Sequence, residues 1–235
     1  MKLIIGNKNY SSWSLRPWLL MVECGIPFEE VRVRFDSFAP DSTFKRTLAP
    51  LTPTGTVPVL VDDDGFTVWD SLAIVETLAE RYPDRGVWPS DARARARART
   101  LCAEMHAGFG ALRRAFPVNL EASLPEVGAR VLASEPAVVA NLTRLVSMWT
   151  GELEASGGPM LFGRFCAADA FYAPVCTRLR TYGVPVPPPV AAYIDRVFGL
   201  PGMRRWIAEA LAERDFLQFE EPYRTAPGPA PVADP

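Results

Sequence analysis

Every stretch of this chain that reads as β-strand lies within its first 70 residues, and nothing after residue 90 carries a convincing strand pattern. Lys2 to Gly6 is a short apolar run, and the polar stretch Asn7 to Ser14 opens an apolar helix from about Leu15 to Cys24, stopped by Gly25-Ile26-Pro27. Phe28 to Phe35 alternates apolar with charged residues, as a strand with one wet face does. A helix-like segment near Asp41 to Leu48 follows. Val57 to Val61 and Phe66 to Val68 then flank the turn Asp62-Asp63-Asp64-Gly65, a hairpin signal. Asp70 to Tyr82 places Leu72, Ile74, Val75, Leu78 and Ala79 at helical spacing before Pro83. The order is β-α-β-α-β-β-α, whose opening unit favours a parallel pair of strands.

A length of 235 residues suits two modest domains, each able to bury a core. Pro83 to Ser90 reads as the linker between them. Helical stretches fit roughly 91–117, 123–155, 168–182, 190–198 and 201–213, and the Pro-rich end after Pro222 reads as loose. The expected organisation is therefore an α/β domain over 1–82, an all-helical domain over 90–222 and a flexible tail over 223–235.

Composition narrows the function classes. With 49% hydrophobic and 22% charged residues the chain is globular, and a net charge of -2 gives no general attraction for nucleic acid or an anionic membrane. The run Ala92 to Arg99 alternates Ala with Arg; on a helix its charge splits between faces, so a solvated helix explains it better than RNA or DNA binding. No apolar run reaches the roughly 20 residues of a membrane helix, and the start of the chain is unlike a signal peptide, so a cytosolic protein is expected. The four cysteines, Cys24, Cys102, Cys166 and Cys176, have no metal-ligand or Cys-x-x-Cys spacing, and His106 is the lone histidine; buried, reduced thiols and no metal are expected.

Four local patterns carry a resemblance: Ser11-Ser12-Trp13-Ser14-Leu15-Arg16 opening the first helix, Thr56-Val57-Pro58-Val59-Leu60, Asp70-Ser71-Leu72-Ala73-Ile74, and Phe165-Cys166-Ala167-Ala168-Asp169. In this order and spacing the chain resembles the cytosolic glutathione transferase superfamily over nearly its whole length, most of all zeta-like bacterial members. The resemblance implies an N-terminal thioredoxin-like domain followed by a C-terminal helical bundle, a homodimer, and glutathione as the bound thiol.

It also implies a site. Forming a thiolate from a thiol of pKa about 9 at neutral pH needs about 1.4 kcal/mol for each unit of lowering, which a hydroxyl donor at a helix N-terminus supplies. Ser11 and Ser12 are the candidate donors, with Ser11 slightly favoured. Trp13, Val57, Pro58, Asp70 and Ser71 stand at the family's glutathione-binding positions, with Val57-Pro58 matching its cis bond and Asp70-Ser71 facing the γ-glutamyl group. Asp70 is shorter than the family's usual Glu or Gln. Each serine, and Asp70, is also an ordinary helix cap taken alone. Cys166 and Asp169 match a buried capping box in which Cys replaces the usual hydroxyl.

Second-substrate candidates are His106, Phe109, Arg113 and Arg114, the arginines suited to a carboxylated or other anionic partner. The leading expectation is a transferase whose serine-stabilised thiolate attacks a small electrophile. A maleylacetoacetate-type cis–trans isomerase is the alternative, although Trp13 stands where that group carries Cys and Leu15 where it carries Trp. A non-catalytic binding module of the same fold is the third reading. A thiol-disulfide reductase needs a Cys opening the first helix, and Cys24 lies near its far end.

Overall fold

The structure, a computed structural model, describes residues 1–228. Its first half contains β1 (Lys2–Ile5), α1 (Ser12–Glu23), β2 (Glu29–Arg32), α2 (Thr43–Leu48), β3 (Val59–Val61), β4 (Thr67–Trp69) and α3 (Ser71–Arg81). This is the element order read from the sequence. The strands form one sheet ordered β2-β1-β3-β4, with β1 and β2 parallel (Ile4 opposite Val31) and β1–β3 and β3–β4 antiparallel (Leu3 opposite Leu60, Leu60 opposite Val68).

Strand alternation sorts β1 between two cores. Leu3 and Ile5 point into the main one, whereas Ile4 joins Tyr10, Phe35, Phe44, Leu48, Val59 and Leu217 on the opposite face of the sheet. Gly6 ends β1 under the Phe35 ring; a Cβ there would lie 2.1 Å from that ring, so the close approach requires glycine.

The second half is helical: α4 (Ala92–Ala107), α5 (Gly110–Ala115), α6 (Pro125–Ser134), α7 (Pro136–Ser156), α8 (Ala167–Thr181), α9 (Pro188–Gly199) and α10 (Pro201–Ala212). Two helices expected as single are broken. The 91–117 stretch parts at Gly108, with Phe109 left-handed at φ 55°. The 123–155 stretch parts before Pro136, because the residue preceding a proline is driven out of helical geometry, and Glu135 sits at φ -118°, ψ 83°.

The two halves share one core. Trp18 of α1, Leu101 of α4, Trp149 of α7 and Phe171 of α8 are buried in the same cluster, and α1 packs against both α8 and α10. The expected linker is itself packed: Val87 and Trp88 are buried, and Ala167 donates its N–H to Val87 O at 2.9 Å.

The alternating Arg run is surface-paired, with Arg99 bidentate on Glu76 at 2.9 and 3.1 Å and Arg97 near Glu152 at 3.7 Å. Cys102, Cys166 and Cys176 are buried free thiols, whereas Cys24 is only half-buried. Among the described residues no helix is long and apolar enough to cross a membrane. The expected loose tail is fastened where it begins: Tyr223 Oη donates to Ala115 O at 2.8 Å, and Arg224 pairs with Glu121 and Glu221. Residues 229–235 of that expected tail lie outside the described residues.

Candidate active site

The loop between β1 and α1 is held from all sides. Asn7 Oδ1 accepts from Phe35 N at 2.8 Å, and Asn9 Oδ1 accepts from Leu120 N at 2.7 Å and Glu121 N at 3.0 Å. Lys8, only 3% exposed, places its ammonium between Trp18 and Trp206, 4.7 and 5.1 Å from the ring centres, and pairs with Glu30 and Glu209. Cation–π attraction and paired carboxylates offset the burial of that charge. Tyr10 Oη donates to Glu221 at 2.7 Å and accepts from Leu217 N; burial pushes its pKa far up, so this phenol stays protonated and committed.

Ser11 is the N-cap of α1. Its Oγ accepts from Ser14 N at 3.4 Å and donates to Ser14 Oγ at 2.7 Å, while Ser14 Oγ also accepts from Gly6 N at 3.1 Å. Ser12, the first helical residue, has no hydrogen-bond partner for its hydroxyl among the described residues, and it lines a cavity of about 670 Å³. The helix dipole and the free N–H groups of the first turn favour an anion here.

That cavity lies between α1, α2, the loop before β3, α5, α8 and the segment after α10. It brings together Ser11, Ser12, Trp13, Val57, Arg113 and Arg114 of the residues singled out from the sequence. It also contains residues that sequence reasoning missed: Phe35, Phe38, Phe44, Lys45, Arg178 and Glu220.

Arg178 is 5% exposed. Its Nη1 donates to Arg113 O at 3.3 Å and to Phe116 O, and its Nε has no partner. Burial first, then the charge of Arg113, lowers its pKa to about 9. Arg16 lies behind Trp13, its guanidinium 4.0 Å from that ring and 5.0 Å from Phe171, with Nε and Nη1 unpartnered. Burial, with Arg113 and Arg178, brings it to about 9 as well. Arg113 stacks on Trp13 at 4.7 Å and is lowered by burial. These guanidinium groups stay charged at neutral pH and have no carboxylate paired to them among the described residues.

The remaining candidates stand outside the lining. The Val57-Pro58 peptide is cis, and Pro58 is buried beneath Val57. Asp70 caps α3, its Oδ1 accepting from Leu72 N at 2.8 Å, from a backbone at φ 75° that costs a non-glycine residue about 1–3 kcal/mol. Beside it, Ser71 is buried and its hydroxyl has no partner among the described residues. His106 Nε2 lies 3.2 Å from Asp70 Oδ2, and its ring meets the edge of Trp13 at 5.2 Å. His106 thus touches Trp13 of the cavity wall and pairs with Asp70, and neither His106 nor Asp70 is among the lining residues. Phe109 is 6% exposed and packs in the core, because its left-handed backbone at the α4–α5 break turns the ring inward; it does not face the cavity.

No cysteine is activated: burial first, then Glu23, pushes Cys24 up to about 11, and burial raises the other three thiols. Among the described residues no group of His, Cys, Asp and Glu could hold a metal ion.

The family model for the glutathione S-transferase N-terminal domain matches residues 10–81, and the model for the glutathione S-transferase C-terminal domain matches residues 91–209. The chain belongs to the glutathione S-transferase family. It is 32% identical over 120 residues to the maleylacetoacetate isomerase of Pseudomonas aeruginosa, covering 51% of this chain and 55% of that protein. It is 39% identical over 69 residues to the dichloromethane dehalogenase of Methylorubrum extorquens, covering 29% and 23%. The matched segments thus span little more than half, at most, of these curated relatives' lengths.

Among solved structures, a glutathione transferase homologue from Burkholderia with bound glutathione aligns at TM-score 0.66 and 27% identity, covering 89% of this chain and 96% of that one. A maleyl pyruvate isomerase described as a zeta-class bacterial glutathione S-transferase aligns at TM-score 0.65 and 23% identity, covering 89% and 98%, and speaks to the fold alone. The thioredoxin-like sheet followed by a helical bundle is the family's architecture.

Proposed function

We propose that this chain is a glutathione-dependent enzyme whose cavity at the start of α1 holds the tripeptide's thiol as thiolate beside an anionic second substrate. One observation carries the reading: a Ser12 hydroxyl without a partner among the described residues, at a helix N-terminus, shares a cavity with the buried Arg178 guanidinium and the half-buried Arg113. Bound glutathione supplies a nucleophilic sulfur.

The residues present fit that tripeptide. Val57, which precedes the cis bond to Pro58, lines the cavity, and the Ser71 hydroxyl, unpartnered among the described residues, with the α3 N-terminus suits a carboxylate. Asp70 is the acceptor for an amino group, and His106 orients it. Ser12 Oγ donates to the sulfur, and Ser11 holds the turn through Ser14. This revises the preference for Ser11, since the Ser11 hydrogen is already committed.

The cationic wall of Arg113, Arg114 and Arg178, facing Phe35, Phe38 and Phe44, favours a second substrate with a carboxylate or similar anion and an apolar body. That feature also favours the isomerase alternative. The Trp13 and Leu15 departures weigh against it, so transfer to an electrophile remains the main reading. By family resemblance the protein is a cytosolic homodimer with its first domain over 1–82 and its second over 90–222.

Calorimetric titration of glutathione tests the site. Saturable binding in the wild type and in Ser11→Ala and Ser12→Ala supports it, whereas no binding up to about 10 mM, far above ordinary substrate affinities, contradicts it.

A further inference from the structure

Thiolate formation leaves a proton to be disposed of, and the cavity wall offers one side chain able to take it. The hydroxyl of Tyr10 is locked to Glu221, and that of Ser11 to Ser14. Ser12 and Thr56 are aliphatic hydroxyls, too weakly basic to hold a proton at neutral pH. Lys45 from α2, Arg113 and Arg114 from α5 and Arg178 from α8 are cations that already carry theirs. Glu220 is the lining carboxylate.

Its placement is rigid although its side chain is free. Glu220 ends a 3-10 turn, Gln218–Glu220, pinned on one side by Leu217 N on Tyr10 Oη at 3.3 Å and closed by Glu220 N on Leu217 O at 2.8 Å. On the other side Glu221 is buried and saturated, accepting from Tyr10 Oη, Asn119 Nδ2 and Arg224. The Glu220 carboxylate has no hydrogen bond or ion pair among the described residues. Burial first, and then the adjacent Glu221 charge, raises its pKa to about 7. The two neighbouring carboxylates thus differ in commitment: Glu221 is fixed in a buried hydrogen-bond network, whereas Glu220 is partnerless among the described residues and able to exchange a proton near neutrality.

We propose that Glu220 is the proton acceptor of this site: its carboxylate takes the proton that the bound glutathione thiol gives up. The S–H bond breaks with its electron pair left on sulfur, and an O–H bond forms on Glu220; Ser12 stabilises the thiolate, and no net charge enters or leaves the cavity. The inference rests on the glutathione reading above. Approach of the negative sulfur raises the proton affinity of Glu220 further, so the transfer reinforces itself.

Proton counting tests it without any turnover. Glutathione is titrated into the protein at pH 7.5 in buffers of different ionisation enthalpy, with thiolate measured in parallel by its ultraviolet absorbance. The wild type releases fewer than about half a proton to buffer per thiolate formed, Glu220→Gln releases about one, and Glu220→Asp falls between. A wild type that releases one proton per thiolate overturns the proposal while leaving the glutathione site standing. Absence of glutathione binding overturns both. If Glu220→Gln loses binding through misfolding, the wild-type count and Glu220→Asp still decide: a full proton in both sinks the role.

Discussion

Ser11 gives its hydroxyl hydrogen to Ser14, and that one bond separates it from its neighbour Ser12, whose hydroxyl has no partner among the described residues. Sequence patterns placed both serines at the start of a helix and slightly favoured Ser11, because the contacts of Ser14 Oγ with Gly6 N and Ser11 Oγ across the loop carry no sequence signal. Arg178 was harder to see. Its one signal is a charge at the i+7 position of a stripe begun by Phe171 and Val175 in α8, where an apolar residue is expected. Glu220 left no signal, because it lies between the last helical stretch, ending near 213, and the Pro-rich end after Pro222, where no periodicity assigns it a face. If Arg178 receives the anionic end of the second substrate, Arg178→Gln raises KM for a carboxylated electrophile about 10- to 100-fold, the worth of one charged hydrogen bond, while the glutathione dissociation constant changes little. Steady-state kinetics against charged and neutral electrophiles separate the two; an equal rise for both contradicts the assignment.

The elements were legible wherever periodicity was strong: the sheet, α1, α3 and α8 fall close to where their patterns place them. The breaks at Gly108 and Pro136 were not read, although Pro136 carried the information, since a proline at a first helical position forces the residue before it out of the helix. The start of α8 gives a stability prediction. Asp169 is fully buried; its carboxylate accepts from Cys166 N at 3.0 Å, Leu161 N at 3.2 Å and Tyr193 Oη at 3.0 Å, closing a box with the Cys166 thiol. Asp169→Ala strands three buried donors and lowers stability by about 2–4 kcal/mol in denaturant unfolding at neutral pH. Cys166→Ser supplies a better acceptor and gains about 0.5 kcal/mol. A neutral outcome for Asp169→Ala would mean that the box does not hold α8.

Across the whole molecule, the segment after α10 returns to the sheet and fastens the β1–α1 loop. Glu213 accepts from Lys8 N at 2.9 Å and pairs with Arg32, and Asp215 pairs with Arg34 and accepts from Asn7 at 2.9 Å. Composition alone cannot reveal such a strap, since its partners lie some 200 positions away. Glu213→Ala should therefore weaken glutathione binding several-fold while the circular dichroism spectrum stays native. The pH response follows from opposing shifts. Asp62 and Glu104 are held below the ordinary carboxylate range, each first by its arginine, Arg81 or Arg144. Their contribution is present above the unfolded values and is lost as pH falls through the depressed ones. Asp169, raised to about 6 by burial, contributes in the opposite sense, fully below its unfolded value and lost as pH rises through 6. The contribution of the paired carboxylates should thus fall away below about pH 4, while that of Asp169 declines between about pH 4 and 6 and is flat above, so melting temperature should change little from pH 6 upward on these groups' account.

On the proposed reading, the start of α1 stabilises a glutathione thiolate. The measurement is the ultraviolet difference spectrum of the glutathione complex as a function of pH, for the wild type and Ser12→Ala. The bound thiol is expected to titrate at least one unit below its free value of about 9 and to return toward that value in Ser12→Ala. A bound thiol that titrates at its free value in the wild type would contradict it.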